Sequence, residues 1–466
     1  PDIEGGYRRI NGYRKFVNQI IPYTSSASEK VLMVCSFADK VLAARGEKIF
    51  SSASSELSLR ILANTSMSGS GSINVDSTAG FSSSGTLQIN SETFTYTGIS
   101  ASAFTGVTRA TSNTTAAEHV VDDVVSESWT ERDTSRTVAG SKFVAAFKSH
   151  MFYAGKSTTP AELIFSVPFD EDNFTSGQGA GSIKVDDDIT GLKVFRDSLF
   201  IFCSNRIFKL TGSSSSDFAI QAVTRNIGCV NGDTIQEFGG DLLFLGPDGL
   251  RTVAATARIG DTELGTISKN VQSVFDLNIK DSSLFESVVI PDKTQYRIFF
   301  TKANQADNIT KGIICVMKAD KYEFSEIRGI KPSASDSFVI EGNVVVLHGD
   351  FSGYIHRQEK GNTFDGTPVL ARYRSADMSF GDSGIRKHMQ RVIINYKPES
   401  AIDADLLVRY DNEDSNSTRP APYPLDSTVV ASQFGIATFS TTDGSVRFVF
   451  GGPSQPLVRQ SVEGSG

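Results

Sequence analysis

The 466-residue chain is poor in cysteine and has no long apolar run. Its four cysteines, Cys35, Cys203, Cys229 and Cys315, stand far apart and form no Cys-x-x-Cys pair, so the ligand spacing of a zinc site is absent. We expect buried free thiols, which suit a protein made in a reducing cytoplasm. No stretch approaches the ~18 apolar residues of a membrane-spanning helix and no secretory signal is visible, so we expect no membrane span.

Basic charge and tryptophan are scarce as well. The formal net charge is −8, and this argues against general nucleic-acid binding, because such binding depends on cationic groups that displace counterions from phosphates. DNA that merely slides past is not excluded by this charge. The chain has one tryptophan but 32 phenylalanines and 40 glycines, a composition that favours strand cores joined by many turns.

One stretch shows the pattern that the chain repeats. Residues 238–254 read FGGDLLFLGPDGLRTVA, in which two runs of strand-forming residues flank Gly-Pro-Asp-Gly. Pro247 fixes φ at the first central position of a turn, and Gly249 can adopt the positive φ that the returning strand needs. The stretch therefore predicts a β-hairpin, which must bury one face against other elements to be stable in water.

Hairpins of this kind recur along most of the chain. Their first strands begin at Val41, Met151, Leu199, Leu242, Gln295 and Val344. The intervals are roughly 40 to 50 residues except for the first, which is about 60 residues longer because a Ser/Thr/Gly-rich segment intervenes. An all-strand period of this length is typical of a β-propeller with one four-stranded sheet per blade.

The predicted fold is therefore all-β: a β-propeller of about six blades with a small inserted β-module and a C-terminal domain like a β-sandwich. The predicted segments are a basic and aromatic N-terminal arm (1–28), a first blade (29–68), the inserted module (69–128), the remaining blades (129–362) and the C-terminal β domain (363–466). Seven blades, with the arm completing one, and a pair of β-sandwiches are the alternatives.

No motif in the sequence specifies catalysis, a metal or a cofactor. Gly381-Asp382-Ser383-Gly384 resembles the nucleophile motif of chymotrypsin-like proteases, but Ile385 follows it and the nearest histidine motif, ending at His119, has a glutamate before the histidine. His348 and His356 flank a turn without a third ligand, and no Walker loop or dinucleotide fingerprint occurs. We therefore expect a non-enzymatic protein without a cofactor or a metal.

Two segments and the spacing of the hairpins resemble a known family. The opening GGYRRINGYRKF, the hairpin period and the later ARYRSADMSFGDSGIRKHMQRVIINY are similar to the tail tubular protein B family of short-tailed bacteriophages, also called the nozzle or tail-hub family. The stretch from Gly85 to His119, GTLQINSETFTYTGISASAFTGVTRATSNTTAAEH, also resembles a small β-module that recurs in phage structural proteins.

The resemblance implies a structural component of the virion tail. It implies a homo-oligomeric ring, usually of six copies, that docks a tail adaptor protein and tail fibres or spikes while viral DNA passes through the centre without sequence-specific binding. Arginine and tyrosine suit such interfaces, since a guanidinium fork pairs well with carboxylates. The candidates for the inter-subunit or adaptor contact are Tyr7, Arg8, Arg9, Tyr13 and Arg14.

The channel wall of such a ring is predicted to be acidic or neutral, because a cationic lining would hold the DNA through counterion release. The candidate lumen-facing acidic residues are Asp186, Asp187, Asp188, Asp411, Glu413 and Asp414. An outward-facing position for these loops, solvated and without a ligand, is the alternative.

A second class of function is a propeller protein that binds or cleaves glycans. A glycosidase needs two carboxyl groups across a pocket, usually with aromatic platforms for the sugar, and one tryptophan in the chain is few for that purpose. A scaffolding or host-binding module is a third alternative.

Overall fold

The computed structural model consists mainly of small antiparallel sheets. It describes residues 9–382 with gaps, the longest being 22–29, 61–70 and 254–266, and then 391–396, 404–408, 422–424 and 458–463. Contacts divide the chain into two compact units, residues 1–371 and residues 372–466. Among the described residues, no helix is both long and apolar enough to cross a membrane.

Six sheets follow one another in the first unit, and an N-terminal strand, β1 (Tyr13–Lys15), belongs to the last of them. The first sheet contains β2 (Val31–Phe37), β3 (Lys40–Arg45), β4 (Lys48–Ala53) and β12 (Thr130–Arg132). The second contains β13 (Phe143–Phe147), β14 (His150–Ala154), β15 (Glu162–Phe165) and β16 (Gly181–Lys184). The third contains β17 (Ile189–Phe195), β18 (Ser198–Cys203), β19 (Ile207–Thr211) and β20 (Ala219–Thr224).

The fourth sheet has three described strands, β21 (Gln236–Phe238), β22 (Asp241–Gly246) and β23 (Gly249–Thr252), and helix α1 (Gln272–Asp281) follows it. The fifth contains β24 (Leu284–Ile290), β25 (Gln295–Thr301), β26 (Thr310–Lys318) and β27 (Lys321–Arg328). The sixth contains β28 (Ala334–Ile340), β29 (Asn343–Gly349), β30 (Ile355–Gln358), β1, β31 (Thr363–Phe364) and β32 (Thr367–Pro368). In the part of the chain that the structure describes, short 3₁₀ turns lie at Ser176–Gln178, Gly232–Thr234 and Pro291–Lys293.

The hairpins predicted from the sequence form the second and third strands of these six sheets. In the stretch that showed the pattern, β22 and β23 pair with Gly246 opposite Gly249, and Gly249 has a φ of 126°, as the turn requires. The second strands are continuous apolar runs because both of their faces are covered: all six residues of β18 are buried. The all-β class predicted from the sequence is confirmed.

Apolar clusters fill the spaces between successive sheets. Met33 of the first sheet packs with Met151 of the second, and further clusters join the second sheet to the third, the third to the fourth, the fourth to the fifth and the fifth to the sixth. A last cluster brings Leu347 of the sixth sheet against Val41 of the first. All four cysteines are buried and unpaired within this packing, as expected.

The segment between β4 and β12 of the first sheet forms two small sheets. One contains β5 (Leu59–Arg60), β11 (Val124–Glu127), β7 (Gly85–Ile89) and β8 (Glu92–Tyr96), and the other contains β6 (Ile73–Asn74), β10 (Ala103–Thr105) and β9 (Gly98–Ser100). These strands enclose a core of their own that includes Leu87, Phe94 and Phe104. Because β5 pairs with β11, the inserted part includes Leu59–Arg60, ahead of the expected start at residue 69.

The N-terminal segment is part of the sixth sheet of its own chain. Strand β1 pairs antiparallel with β30 and parallel with β31, and the Phe16 amide continues the pairing with a hydrogen bond to the Ile355 carbonyl at 2.8 Å. Arg45 of the first sheet donates to the carbonyls of Ile21 and Ser352, which ties the segment to the β29–β30 loop. The segment therefore adds a strand to the sixth sheet and begins no seventh sheet among the described residues.

The second unit has two described two-stranded sheets. One pairs β33 (Arg391–Tyr396) with β36 (Val458–Glu463), and the other pairs β34 (Asp405–Leu406) with β35 (Tyr423–Pro424). The unit begins at residue 372, and β31, at residues 363 and 364, still belongs to the sixth sheet. The sandwich expected for the C-terminal domain stays a prediction.

Candidate functional site

The first strands of the six sheets surround a cavity of about 380 Å³. We call this space the central cavity; it is lined by residues of β2, β13, β17, β21 and β28 and by Asp233 and Glu286. Its volume is in the range of small-molecule sites, about 300 to 1,000 Å³. It is too small for duplex DNA, whose major groove alone is about 12 Å wide.

Polar side chains from three strands meet on one side of the central cavity. Lys193 of β17 lies with its Nζ 2.9 Å from Oε1 of Gln236 and 3.6 Å from Oδ1 of Asp336. The amide nitrogen of Gln236 donates to the Ser287 carbonyl at 3.0 Å, which fixes the orientation of that side chain. Burial raises the pKa of Asp336, and the charge of Lys193 partly offsets this rise.

Two further carboxyl groups at the central cavity influence one another. Ser335 donates to Oε1 of Glu286 at 2.7 Å, and Glu286 is almost fully buried. Burial, and then the charge of Asp233, raises the pKa of Glu286 well above its usual range. Burial raises the pKa of Asp233 to about 6, against the opposing charges of Lys30 and Lys142. Both groups therefore hold protons more readily than exposed carboxyls do.

The central cavity has carboxyl groups suited to acid–base chemistry, but few aromatic side chains to hold a sugar. Carboxyl groups with raised pKa values can act as general acids near neutral pH. The aromatic side chains that line the cavity are Phe143 and Phe338. The single tryptophan, Trp129, is buried in the cluster between the first and sixth sheets. Within the described part of the chain, no group of three histidine, cysteine or acidic residues is placed to hold a metal ion.

Sequence reasoning missed this cavity. The signal was present: Asp233 follows a Gly-rich turn, while Glu286 and Asp336 each interrupt an apolar strand, in LFESVVI and ASDSFVI. A charge within such a run is unusual, because buried charges require partners. The sequence alone could not show that these residues converge.

The N-terminal candidates lie in different surroundings. Tyr7 and Arg8 are outside the described residues, Arg9 donates to the Asn362 carbonyl at 3.4 Å, and Arg14 is exposed on β1. The Tyr13 ring is half-buried and stacks on Phe364 with the centroids 5.2 Å apart. Tyr13 therefore packs within its own chain, and the contact role of the five residues stays a prediction.

The acidic triplet Asp186, Asp187 and Asp188 lies between β16 and β17. Oδ2 of Asp187 accepts the Asn205 amide at 2.9 Å, and Asp186 forms an ion pair with Arg206, so both carboxylates hold the β18–β19 turn. Asp411, Glu413 and Asp414 are outside the described residues. Lumen-facing charge at either cluster stays a prediction.

His119, weighed above as part of a protease-like motif, is bound inside the inserted module. Its Nε2 lies 2.9 Å from Oε2 of Glu92, which also accepts Nη2 of Arg109 at 2.7 Å. Glu92 has no exposed surface, and its Oε1 accepts Nε of Arg109 at 2.8 Å. This network closes the module around a buried carboxylate, which is a structural role.

Comparisons with known proteins leave the family open. No family model matches the chain, and no curated protein matches it. Solved structures with partial likeness include a surface component of the type IX secretion system of Porphyromonas gingivalis, at 12% identity and a TM-score of 0.32, covering 87% of this chain and 46% of that one. The CNH domain of AfRom2 gives 9% identity and a TM-score of 0.30, covering 73% of this chain and 98% of that one.

A third structure is the extracellular domain of a putative one-component system from B. thetaiotaomicron, at 8% identity and a TM-score of 0.32, covering 75% of this chain and 40% of that one. The chain thus spans less than half the length of the first and third of these structures. None of these likenesses is close enough to carry a functional inference.

Proposed function

We propose that the six sheets form a six-bladed β-propeller closed by the N-terminal strand. Two observations support this: each sheet packs on the next through its own apolar cluster, and one further cluster joins the sixth sheet to the first. Completing the last sheet with a strand from the chain's beginning fastens the two ends of the propeller together. The short edges of such blades also limit pairing with other chains.

We further propose that the chain is a structural component of a bacteriophage tail, a nozzle ring through which the genome passes during ejection. The observation that carries this proposal is the place of the resembling segments. The family-like opening supplies β1, and the phage-like module is inserted within the first sheet. The ring would be built from several copies, because the central cavity of one chain cannot admit a duplex.

In this proposal the virion tail is the location, and the partners are further copies of the chain, a tail adaptor and fibres or spikes. A ring formed by repeated heterologous contacts closes only when each contact has one fixed rotation. Arginines at the start of the chain, of which Arg14 is exposed, suit such a contact, since their charge complements a chain of net charge −8. An acidic or neutral lumen would let DNA slide.

Native mass spectrometry with electron microscopy of the purified chain tests the ring. We expect closed rings, six copies being the expected number, and a weaker assembly when Arg8, Arg9 and Arg14 are changed to alanine together. The matched control is Lys184→Ala with Arg225→Ala, which removes exposed cations at the end of the second sheet and directly after the third. A monomer at every concentration contradicts the ring, and equal loss in both variants contradicts the assigned contact.

Glycan binding or cleavage is the second candidate, favoured by the raised pKa values of Glu286 and Asp336 at the central cavity. The few aromatic side chains in its lining oppose it. Turnover of a panel of aryl glycosides, compared with the Glu286→Gln variant, tests this candidate. Hydrolysis that disappears in the variant would establish it, and no turnover across the panel would exclude cleavage of those substrates.

A further inference from the structure

Two histidines lie beneath the N-terminal strand. His348 of β29 and His356 of β30 are directly opposite one another in register, and their rings stack with centroids 5.0 Å apart and planes 19° apart. His348 is 1% exposed and His356 is 5% exposed. The Nδ1 atoms of both rings are buried without a hydrogen-bond partner. A proton added at either Nδ1 would therefore be buried without an acceptor.

Strand β1 covers this pair through Tyr13. The Tyr13 ring meets His348 edge-on at 4.9 Å between centroids and His356 at 5.1 Å. Lys15, two residues on, is opposite His356 in register, and therefore lies on the same face of the sheet. The pairing of β1 with β30 is three residues long and is continued by the Phe16 amide, and β1 also pairs with β31 at Tyr13. The contacts of Tyr13 with the two histidine rings add to this short backbone pairing.

The surroundings can accept one added positive charge but not two. The charged and titratable groups around the pair are Asp350, Tyr354, Tyr13, Lys15 and Asp365, with Arg297, Glu359 and Glu286 beyond Gln358 and Ser335. Oδ2 of Asp350 lies 3.0 Å from Nε2 of His356. The other carboxylates have partners already: Asp365 with Lys15, Glu359 with Arg297, and Glu286 with Ser335.

We propose that the stacked His348–His356 pair makes the pairing of β1 with the sixth sheet an acid-sensitive latch, which opens as the pH falls below neutral. Two protonated rings in this stack repel one another, and only one has a carboxylate within hydrogen-bond distance. When Tyr13 is released, water reaches both histidine rings and weakens the repulsion between their charges. The open state, with β1 detached, therefore binds protons more readily than the closed state.

The direction of the pH effect follows from linkage. Burial, and then the neighbouring His356, holds the pKa of His348 well below its usual value of 6.5. A histidine whose pKa is lowered in the closed state makes that state most stable above 6.5, and the stability is lost as the pH falls toward the lowered pKa. Within that window the equilibrium constant for opening rises about tenfold per pH unit for one histidine.

Hydrogen exchange of the full chain, followed by mass spectrometry between pH 7 and pH 5, tests the latch. After correction for intrinsic exchange, we expect the protection of residues 12–16 to fall about tenfold per pH unit below 6.5, while β18 stays protected. The variant His348→Phe keeps an aromatic ring in the stack and should abolish this dependence. The control His150→Phe changes a histidine that is equally buried, in the second sheet, and should leave the dependence unchanged.

Unchanged protection of residues 12–16 from pH 7 to pH 5 would overturn the latch, as would a pH dependence that persists in His348→Phe. If that variant does not fold, the titration of His348 in the wild-type chain, measured by NMR, decides: a value at or above 6.5 refutes the proposal. The latch does not rest on the proposed tail function. If that function holds, acid would also free the segment that carries Arg9 and Arg14.

Discussion

Replacing Arg109 with leucine should unfold the inserted module without unfolding the six sheets. Arg109 donates from Nε and Nη2 to the two carboxylate oxygens of Glu92. The same oxygens also accept the backbone amides of Ala110 and Ala117. Removing one partner of a buried pair leaves an uncompensated charge, which costs about 3 to 5 kcal/mol. The module has its own core, so the loss should be confined to its strands.

The same contacts set the acidity of Glu92. Burial alone would raise its pKa, but the bonds from Arg109, the Ala117 amide and His119 outweigh burial and lower the pKa from 4.5 to about 2. Because the folded-state pKa is the lower one, the stabilisation is complete above pH 4.5 and is lost as the pH falls toward 2.

Hydrogen exchange of β7 and β8, compared with that of β18, measures the loss in the module against the six sheets. Arg109→Leu should reduce the opening free energy of β7 and β8 by about 3 kcal/mol or more and leave β18 unchanged. The double variant Glu92→Leu with Arg109→Leu should lose less, because no charge is then left buried. A loss below about 1 kcal/mol in the single variant, or an equal loss in β18, would refute the reasoning.

Two further predictions concern the insertion and the central cavity. Replacing residues 54–128 with an Asn-Gly turn should leave the six sheets folded, because β4 and β12 already pair antiparallel and Trp129 is retained. An insoluble product, or a circular dichroism spectrum without the β-sheet signal, would count against this. Asp233→Asn should stabilise the chain at pH 7. The pKa of Asp233 is raised in the folded state, from 3.8 to about 6, so its carboxyl lowers the free energy of unfolding once the pH rises above 3.8. If the denaturant midpoints of the variant and the wild type differ equally at pH 3 and pH 7, this reasoning is wrong.

The sequence predicted the local elements well because their causes are local. Continuous apolar runs such as SLFIFC, followed by short polar turns, indicate strands buried on both faces, and the six predicted hairpins each lie in a separate sheet. The unusually long first interval indicated an insertion, and its strands lie between β4 and β12. Leu59–Arg60 precedes the predicted start at residue 69, and only its pairing with β11 shows that it goes with these strands.

The candidate sites were harder to predict because they depend on residues far apart in the chain. Asp187 looked like free acidic charge, yet it holds a turn through the Asn205 amide. Asp233, Glu286 and Asp336 lie far apart in the chain, and their raised pKa values arise only where the elements that carry them converge. His348 and His356 were weighed only as metal ligands without a third, and the sequence did not show that the Tyr13 ring packs against both.

By itself the sequence determined the all-β class, the repeated hairpins and the absence of cysteine pairing, since alternation, turn chemistry and residue spacing act over a few residues. Only the tertiary structure decided that the N-terminal segment pairs with β30 and that carboxyl groups and lysines share one cavity. The partners of a strand edge or a buried charge are set by packing between distant segments and by the need to satisfy every buried polar group. The residues next to them in the sequence do not reveal these partners.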